Sequence, residues 1–176
     1  SACPTTINEI LAHITRVREG QAQIDEVVDG LVDPEDGEEY AGAGVTADED
    51  ESDDGPAGTV SYAVSCFDPD APTGSGFWHW AVYNLPADVR SLATDAGSGA
   101  LSALPDGAIT LPNEVRSKRF VGAAPPAGTG THRYFFVVDA LDTELDLPDG
   151  ATPAVLGFNR HFRTLARGVL VATATP

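Results

Sequence analysis

Residues 68–80 read Asp68-Pro69-Asp70-Ala71-Pro72-Thr73-Gly74-Ser75-Gly76-Phe77-Trp78-His79-Trp80, a turn-rich loop running into a bulky aromatic strand. Pro69 and Pro72 remove backbone donors and fix φ, so the loop can hold two carboxylates in set directions. An X-Pro bond in it is a candidate for the cis form. On its amino-terminal side, Thr59 to Phe67 alternates Val60, Tyr62, Val64 and Cys66 with Thr59, Ser61, Ala63 and Ser65, the period-two mark of a strand. On its other side, Trp78 to Leu85 predicts a strand with Trp78, Trp80 and Val82 on one face and His79, Ala81 and Tyr83 on the other.

Further along, Arg133 to Leu141 is almost continuously apolar, which predicts a central strand covered on both faces. Ala108 to Leu111 and Val169 to Ala172 are shorter strand candidates. Thr152-Pro153 followed by Val155, Phe158, Phe162 and Leu165, then Gly168, predicts a capped helix with glycine past its end. Near the amino terminus, Ile7, Ile10, Leu11, Ile14 and Val17 recur at helical spacing behind a Thr6/Glu9 capping box. Ile24, Val27, Val28 and Leu31 suggest a second helix. The pattern adds up to one β-rich domain with a few peripheral helices.

Composition agrees with that class. The chain has 176 residues, a length suited to one domain. Its 18 glycines and 13 prolines suit a turn-rich β protein, and 42% apolar residues can fill a core. The net charge of −17 is unevenly spread, with 14 acidic and no basic residues between Asp25 and Asp54. High-salt adaptation distributes acid over a whole surface, so the local reading is a solvated acidic loop. Nucleic acid is excluded as a partner, since phosphate backbones need clustered Lys and Arg. No apolar run reaches the ~20 residues of a membrane span, and no signal-peptide pattern opens the chain. Cys3 and Cys66 alone make neither a metal cluster nor a disulfide framework, so a reducing, cytoplasmic setting is expected.

A second polar segment, Gly122-Ala123-Ala124-Pro125-Pro126, leads through Gly128-Thr129-Gly130 to His132-Arg133-Tyr134. The two motifs, in this order, resemble the phosphatidylethanolamine-binding protein family, and most of all its bacterial and archaeal Raf-kinase-inhibitor-like branch. The resemblance runs from about Gly55 to Ala172 and includes Leu156-Gly157-Phe158-Asn159. It implies a β-sandwich, with a Greek-key central sheet packed on a smaller sheet, and a small cavity that takes phosphate-like anions. Carried over by position, the cavity residues are Asp68, Asp70, Pro72, His79 and His132, with Ala124, Pro126 and Tyr134 as wall. It further implies a non-enzymatic protein that needs no metal or cofactor, regulates a partner such as a kinase, and forms a homodimer.

The chemistry of the set can also be argued from the residues. An imidazole donates one or two N–H bonds to an oxyanion, and an adjacent carboxylate fixes its tautomer. His79 and His132 beside Asp68 and Asp70 could therefore bind a phosphate ester or a carboxylate without lysine. Alternation turns Arg133 away from His132, so it is expected to pair with Asp68 or Asp70 as a structural brace. Each residue has a plainer alternative. The histidines could be core residues satisfied by carbonyls, and the aspartates simple turn residues. His13 and His161 read as surface or packing residues.

A metal-dependent or His/Asp hydrolase is the competing class, although metal-binding spacings and a nucleophile elbow are missing. A protein-binding regulator with a vestigial cavity is the third. The chain departs from its relatives before Gly55. The family places an apolar strand beside the cavity there, whereas Asp48-Glu49-Asp50-Glu51-Ser52-Asp53-Asp54 cannot form a strand with a buried face. At the cavity, Ala124 replaces a glycine of the family's turn.

Overall fold

The computed structural model describes residues 55–93, 96–97 and 103–176. The two amino-terminal helical patterns, His13 and the acidic run lie outside these residues. Ser61–Asp68 forms β1, which alternates small residues on one face (Ala63, Ser65) with Val64 and Cys66 on the other and is buried on both. Phe77–Pro86 is β2, Ile109–Thr110 β3, His132–Leu141 β4, Pro153–His161 the helix α1, and Thr164–Ala174 β5.

The strands form one antiparallel sheet in the order β3-β2-β1-β4-β5, so β1 is its centre. Three strands in sequence, with the fourth returning beside the first, is the Greek-key order. The expected smaller second sheet is not seen among the described residues, and α1 is their only helix. Among them no peptide bond is cis, so the prolines of the 68–76 loop sit in trans.

Two interruptions of the β1–β2 ladder set the direction of key side chains. Cys66 faces Trp80 but Phe67 faces Trp78, so His79 is the extra residue of a β-bulge. Trp78 and Trp80 therefore lie on opposite faces, contrary to simple alternation. Trp78 stacks on Phe67, while Trp80 enters the core with Val64 and Tyr134. A second bulge opposes Ala63 with Tyr83 and Asn84, and Asn84 takes φ 55°. Its amide donates to the Leu145 carbonyl (3.0 Å) and accepts from the Leu145 N–H (2.8 Å), pinning the segment after β4.

The sheet buries a different cluster on each face. Val64, Cys66, Trp80, Val82, Tyr134, Phe136 and Val138 fill one, and burial pushes the Cys66 thiol far up, which makes it inert. Ala63, Ala81, Tyr83, Leu141 and Leu156 fill the other, beneath α1. The helix starts as expected, with Thr152 accepting from Val155 N–H and Pro153 in the first turn. It ends at His161 rather than continuing toward Gly168, because only Pro153, Leu156 and Arg160 share its buried face. Phe158 and Phe162 point outward, 68% and 66% exposed. Thr164 onward instead pairs along the whole of β4, from Leu141 to His132, with Gly168 opposite Val138. The short candidate at Val169–Ala172 is thus the middle of an eleven-residue edge strand.

The helix is fastened by charge as well as packing. Asp139 of β4, fully buried, has Arg160 Nη1 at 3.0 Å and Arg167 Nε at 2.7 Å. Arg160 also donates to Ser65 Oγ across the sheet (3.0 Å), and its carbonyl accepts the Thr164 hydroxyl hydrogen (2.7 Å), with Asp139 Oδ1 farther off at 3.2 Å.

Candidate functional site

The in-phase β1–β4 pairing carries Asp68, the last residue of β1, to the start of β4, where His132 stands. His132 Nδ1 lies 2.8 Å from Asp68 Oδ2, and both side chains are buried. The bulge turns His79 onto the same face, bringing its Nε2 to 4.0 Å from that oxygen. Tyr134 presents its ring to His79 in an edge contact at 5.1 Å. Two imidazoles far apart in the chain thus converge on one carboxylate oxygen, which only His132 reaches at hydrogen-bond distance.

The loop is shaped by its own hydrogen bonds. Asp68 Oδ1 accepts from Asp70 N–H (2.8 Å), and Thr73 Oγ1 donates to the Gly76 carbonyl (2.5 Å). Gly76 sits at φ 73°, and a Cβ there would lie 2.5 Å from the Phe67 ring and 2.7 Å from the Asp68 carbonyl, so no other residue fits this return. Asp70 receives Arg133 in a two-pronged pair (Nε–Oδ2 2.8 Å, Nη2–Oδ1 2.8 Å) and the Arg133 N–H (2.9 Å). The guanidinium hydrogen bonds hold the Asp70 carboxyl well below its ordinary value, at about 2. Arg133 therefore braces the first loop to β4 through Asp70, not Asp68.

Proton positions follow from the partners. The Val121 carbonyl can only accept, so His79 Nδ1, 2.6 Å away, carries a hydrogen. Burial lowers the His79 pKa, more than the Asp68 charge raises it, so the ring is neutral and Nε2 bears a lone pair. That nitrogen is buried and has no hydrogen-bond partner. At His132, Thr129 Oγ1 lies 2.8 Å from Nε2 and 2.7 Å from the Pro126 carbonyl. The Pro126 carbonyl also accepts the Thr129 N–H (3.2 Å), and the single hydroxyl hydrogen serves either that carbonyl or Nε2, according to the His132 tautomer. Asp68 Oδ2 closes the other side of the ring at Nδ1.

Thr129, His132 and Asp68 have the connectivity of a hydroxyl–imidazole–carboxylate relay. Among the described residues no group of three or more His, Cys, Asp and Glu is placed to hold a metal ion.

Of the residues expected from sequence, Asp68, His79, His132 and Tyr134 come together, and Asp70 joins them through the loop. Pro72 and Ala124 are exposed on their loops, and Pro126 reaches the site through its carbonyl alone. His161 is exposed at the end of α1. Both ring nitrogens of His132 are engaged by the protein, so the unpartnered ring nitrogen of the cluster is His79 Nε2, which is buried. Sequence reading passed over Thr129, Val121 and Asn113. Asn113, 3% exposed, donates to the carbonyls of His79 (3.1 Å) and Arg119 (2.9 Å), clamping the segment that carries Val121 against the bulge. A Pro-Asn pair at 112–113 signals a turn, but nothing local says whose carbonyl the amide will meet.

A family model described as phosphatidylethanolamine-binding protein matches residues 14–175. The UPF0098 protein YbhB of Escherichia coli is 54% identical over 121 residues, covering 68% of this chain and 75% of that protein. The Escherichia coli UPF0098 protein YbcL is 46% identical over 112 residues, 63% of this chain and 61% of its own length. Its crystal structure, described as a new member of the mammalian PEBP family, superposes with a TM-score of 0.66 at 39% identity, covering 69% of this chain and 75% of that one. A Mycobacterium tuberculosis protein called putative lipoprotein LppC is 39% identical over 97 residues, 55% of this chain and 44% of that protein.

Proposed function

This chain belongs to the phosphatidylethanolamine-binding protein family, and from that membership and its histidine–aspartate cluster we propose that it binds a small oxyanion. The ligand class is a phosphate ester, a carboxylate or a headgroup-like phosphate, held at His79 and oriented by Asp68, His132 and Tyr134. The observation that supports this most is the His79 ring. It is 5% exposed, one nitrogen is satisfied by Val121, and the other meets no protein partner. A buried polar atom left unpaired costs about 1–3 kcal/mol, which a ligand bonding it would recover.

Asp68 and His132 set where that atom lies, and the Asp70–Arg133 brace holds the loop that supplies Asp68. A regulatory role toward a protein partner and a cytoplasmic setting belong to the same reading. Among the described residues no helix is long and apolar enough to cross a membrane. Membership of a family described as phosphatidylethanolamine-binding favours binding over hydrolysis.

Calorimetric titration with phenyl phosphate at pH 6 tests the proposal. Saturable binding by the wild-type protein and at least a tenfold loss in His79→Ala, with its circular dichroism preserved, are expected. No binding by the wild type, or equal binding by the variant, would overturn it.

A further inference from the structure

We propose that the ligand of this site must itself bring a hydrogen to His79 Nε2, so the bound species is a protonated oxyacid. For a phosphate monoester, that is the monoanion. This deepens the oxyanion-binding proposal above and rests on it.

Donors and acceptors around the ring decide the bound species. Val121 O fixes the hydrogen of the neutral ring on Nδ1, 2.6 Å away, which leaves a lone pair at Nε2. Facing that lone pair at 4.0 Å is Asp68 Oδ2, which accepts as a carboxylate and is already bonded to His132 Nδ1 at 2.8 Å. Both His132 nitrogens are occupied, one by Asp68 and one by Thr129. Every element packed on the ring adds to this picture. From β1 it meets Asp68, from β4 His132 and the Tyr134 ring, from the 113–121 segment the Phe120 ring and the Val121 carbonyl, and from β2 itself Phe77. Among the described residues, Asp68 and His132 are the titratable groups that act on the His79 charge, in opposite directions.

A fully deprotonated oxyanion would therefore set a lone pair against a lone pair, beside a carboxylate. A P–OH group relieves this by donating to Nε2. An anion with no hydrogen, such as a sulfate ester, enters only if His79 takes a proton first. In both cases one proton is bound with the ligand. Burial works against the protonated ring, so the monoester monoanion is the better guest.

The pH dependence has a definite sign. Monoester phosphates lose their second proton near pH 6, so the monoanion declines about tenfold per pH unit above that. The association constant of phenyl phosphate is expected to fall about tenfold between pH 7 and 8 and again between pH 8 and 9. Phenyl sulfate, of similar shape, is expected to bind at least tenfold more weakly than phenyl phosphate at pH 6. Calorimetry of phenyl phosphate at pH 7.5, in buffers of different ionisation enthalpy, is expected to show uptake of about one proton per complex. His79→Gln, whose amide N–H can donate at the same place, is expected to bind phenyl sulfate with a flat pH profile.

A phenyl phosphate affinity that rises or stays level from pH 6 to 9, with no proton uptake, would overturn the inference while leaving oxyanion binding intact. Binding of ethylammonium but of neither phenyl ester would overturn the oxyacid assignment. Absence of all binding would instead defeat the underlying reading. Should His79→Gln fail to fold, the wild-type pH series and buffer series decide the matter alone.

Discussion

Two aspartates are buried on opposite faces of the same sheet, and their partners differ in kind. Asp139 is met by two guanidinium groups and a hydroxyl, with Arg160 at 3.0 Å and Arg167 at 2.7 Å. Asp68 is met by an imidazole at 2.8 Å and a second at 4.0 Å. Arginine keeps its charge at any pH a protein survives, so the Asp139 cluster is fixed in one state and serves to hold α1 and β5 to β4. Imidazole gains or loses a proton near neutrality, so the Asp68 cluster can change its hydrogen bonding in response to a guest. The same buried carboxylate is scaffold on one face and chemistry on the other, according to the base opposite it.

The largest effect separating the two faces should come from removing each carboxylate. Asp139→Ala leaves the buried Arg160 uncompensated and should cost about 3–5 kcal/mol in urea denaturation. Asp68→Asn keeps the shape and should cost less, about 1–3 kcal/mol, while eliminating phenyl phosphate binding. If Asp68→Asn proves as destabilising as Asp139→Ala and binding persists, the contrast fails.

A smaller effect concerns pH. The folded-state pKa of His79 lies below the unfolded value of 6.5, so the unfolded chain binds the extra proton first. Its contribution is complete above pH 6.5 and is lost as pH falls toward and through the folded value. Denaturation midpoints of the wild type should therefore drop between pH 7 and 5 relative to His79→Ala, by at most about 1.4 kcal/mol per pH unit. Parallel profiles would show that the ring is not held neutral.

The least costly change should be at the brace. Arg133 is about half exposed, so Arg133→Ala should remove no more than ~1 kcal/mol near neutrality. Asp70, with its pKa down at about 2, contributes above its unfolded value near 4 and loses that contribution as pH falls through 2. Acid titration of the two proteins should show their difference shrinking below pH 4. Ligand affinity should weaken more than stability, because the brace acts on loop position.

Much of the fold was legible in the sequence where the signal is local. Alternation at Ser61–Asp68 and the apolar run at 133–141 report burial directly, and both strands stand where that signal places them. The opposite orientation of Arg133 and His132 also follows from alternation, and the guanidinium does meet Asp70. The Thr152-Pro153 start of α1 was legible because capping chemistry is written in adjacent residues. What escaped depends on pairing between distant segments. The reversal of His79 arises from how β2 counts against β1, which Trp78-His79-Trp80 does not reveal. The length of β5 comes from the need of β4 for a neighbour, since Leu165 and Val169 remain partly exposed and do not alternate as a buried strand would. Thr129 looked like one residue of a glycine-rich turn until His132 was placed against it.

The bulge at His79 also says how this site could be lost. Its geometry depends on one strand carrying one residue more than its neighbour over the same span, so tally as well as chemistry is inherited. Deleting Trp78 would let the ladder close evenly with His79 opposite Phe67, turned away from Asp68, and every other residue of the two motifs unaltered. An insertion or deletion of one codon is thus the mutation to which this arrangement is most exposed, more than to most replacements of its visible side chains.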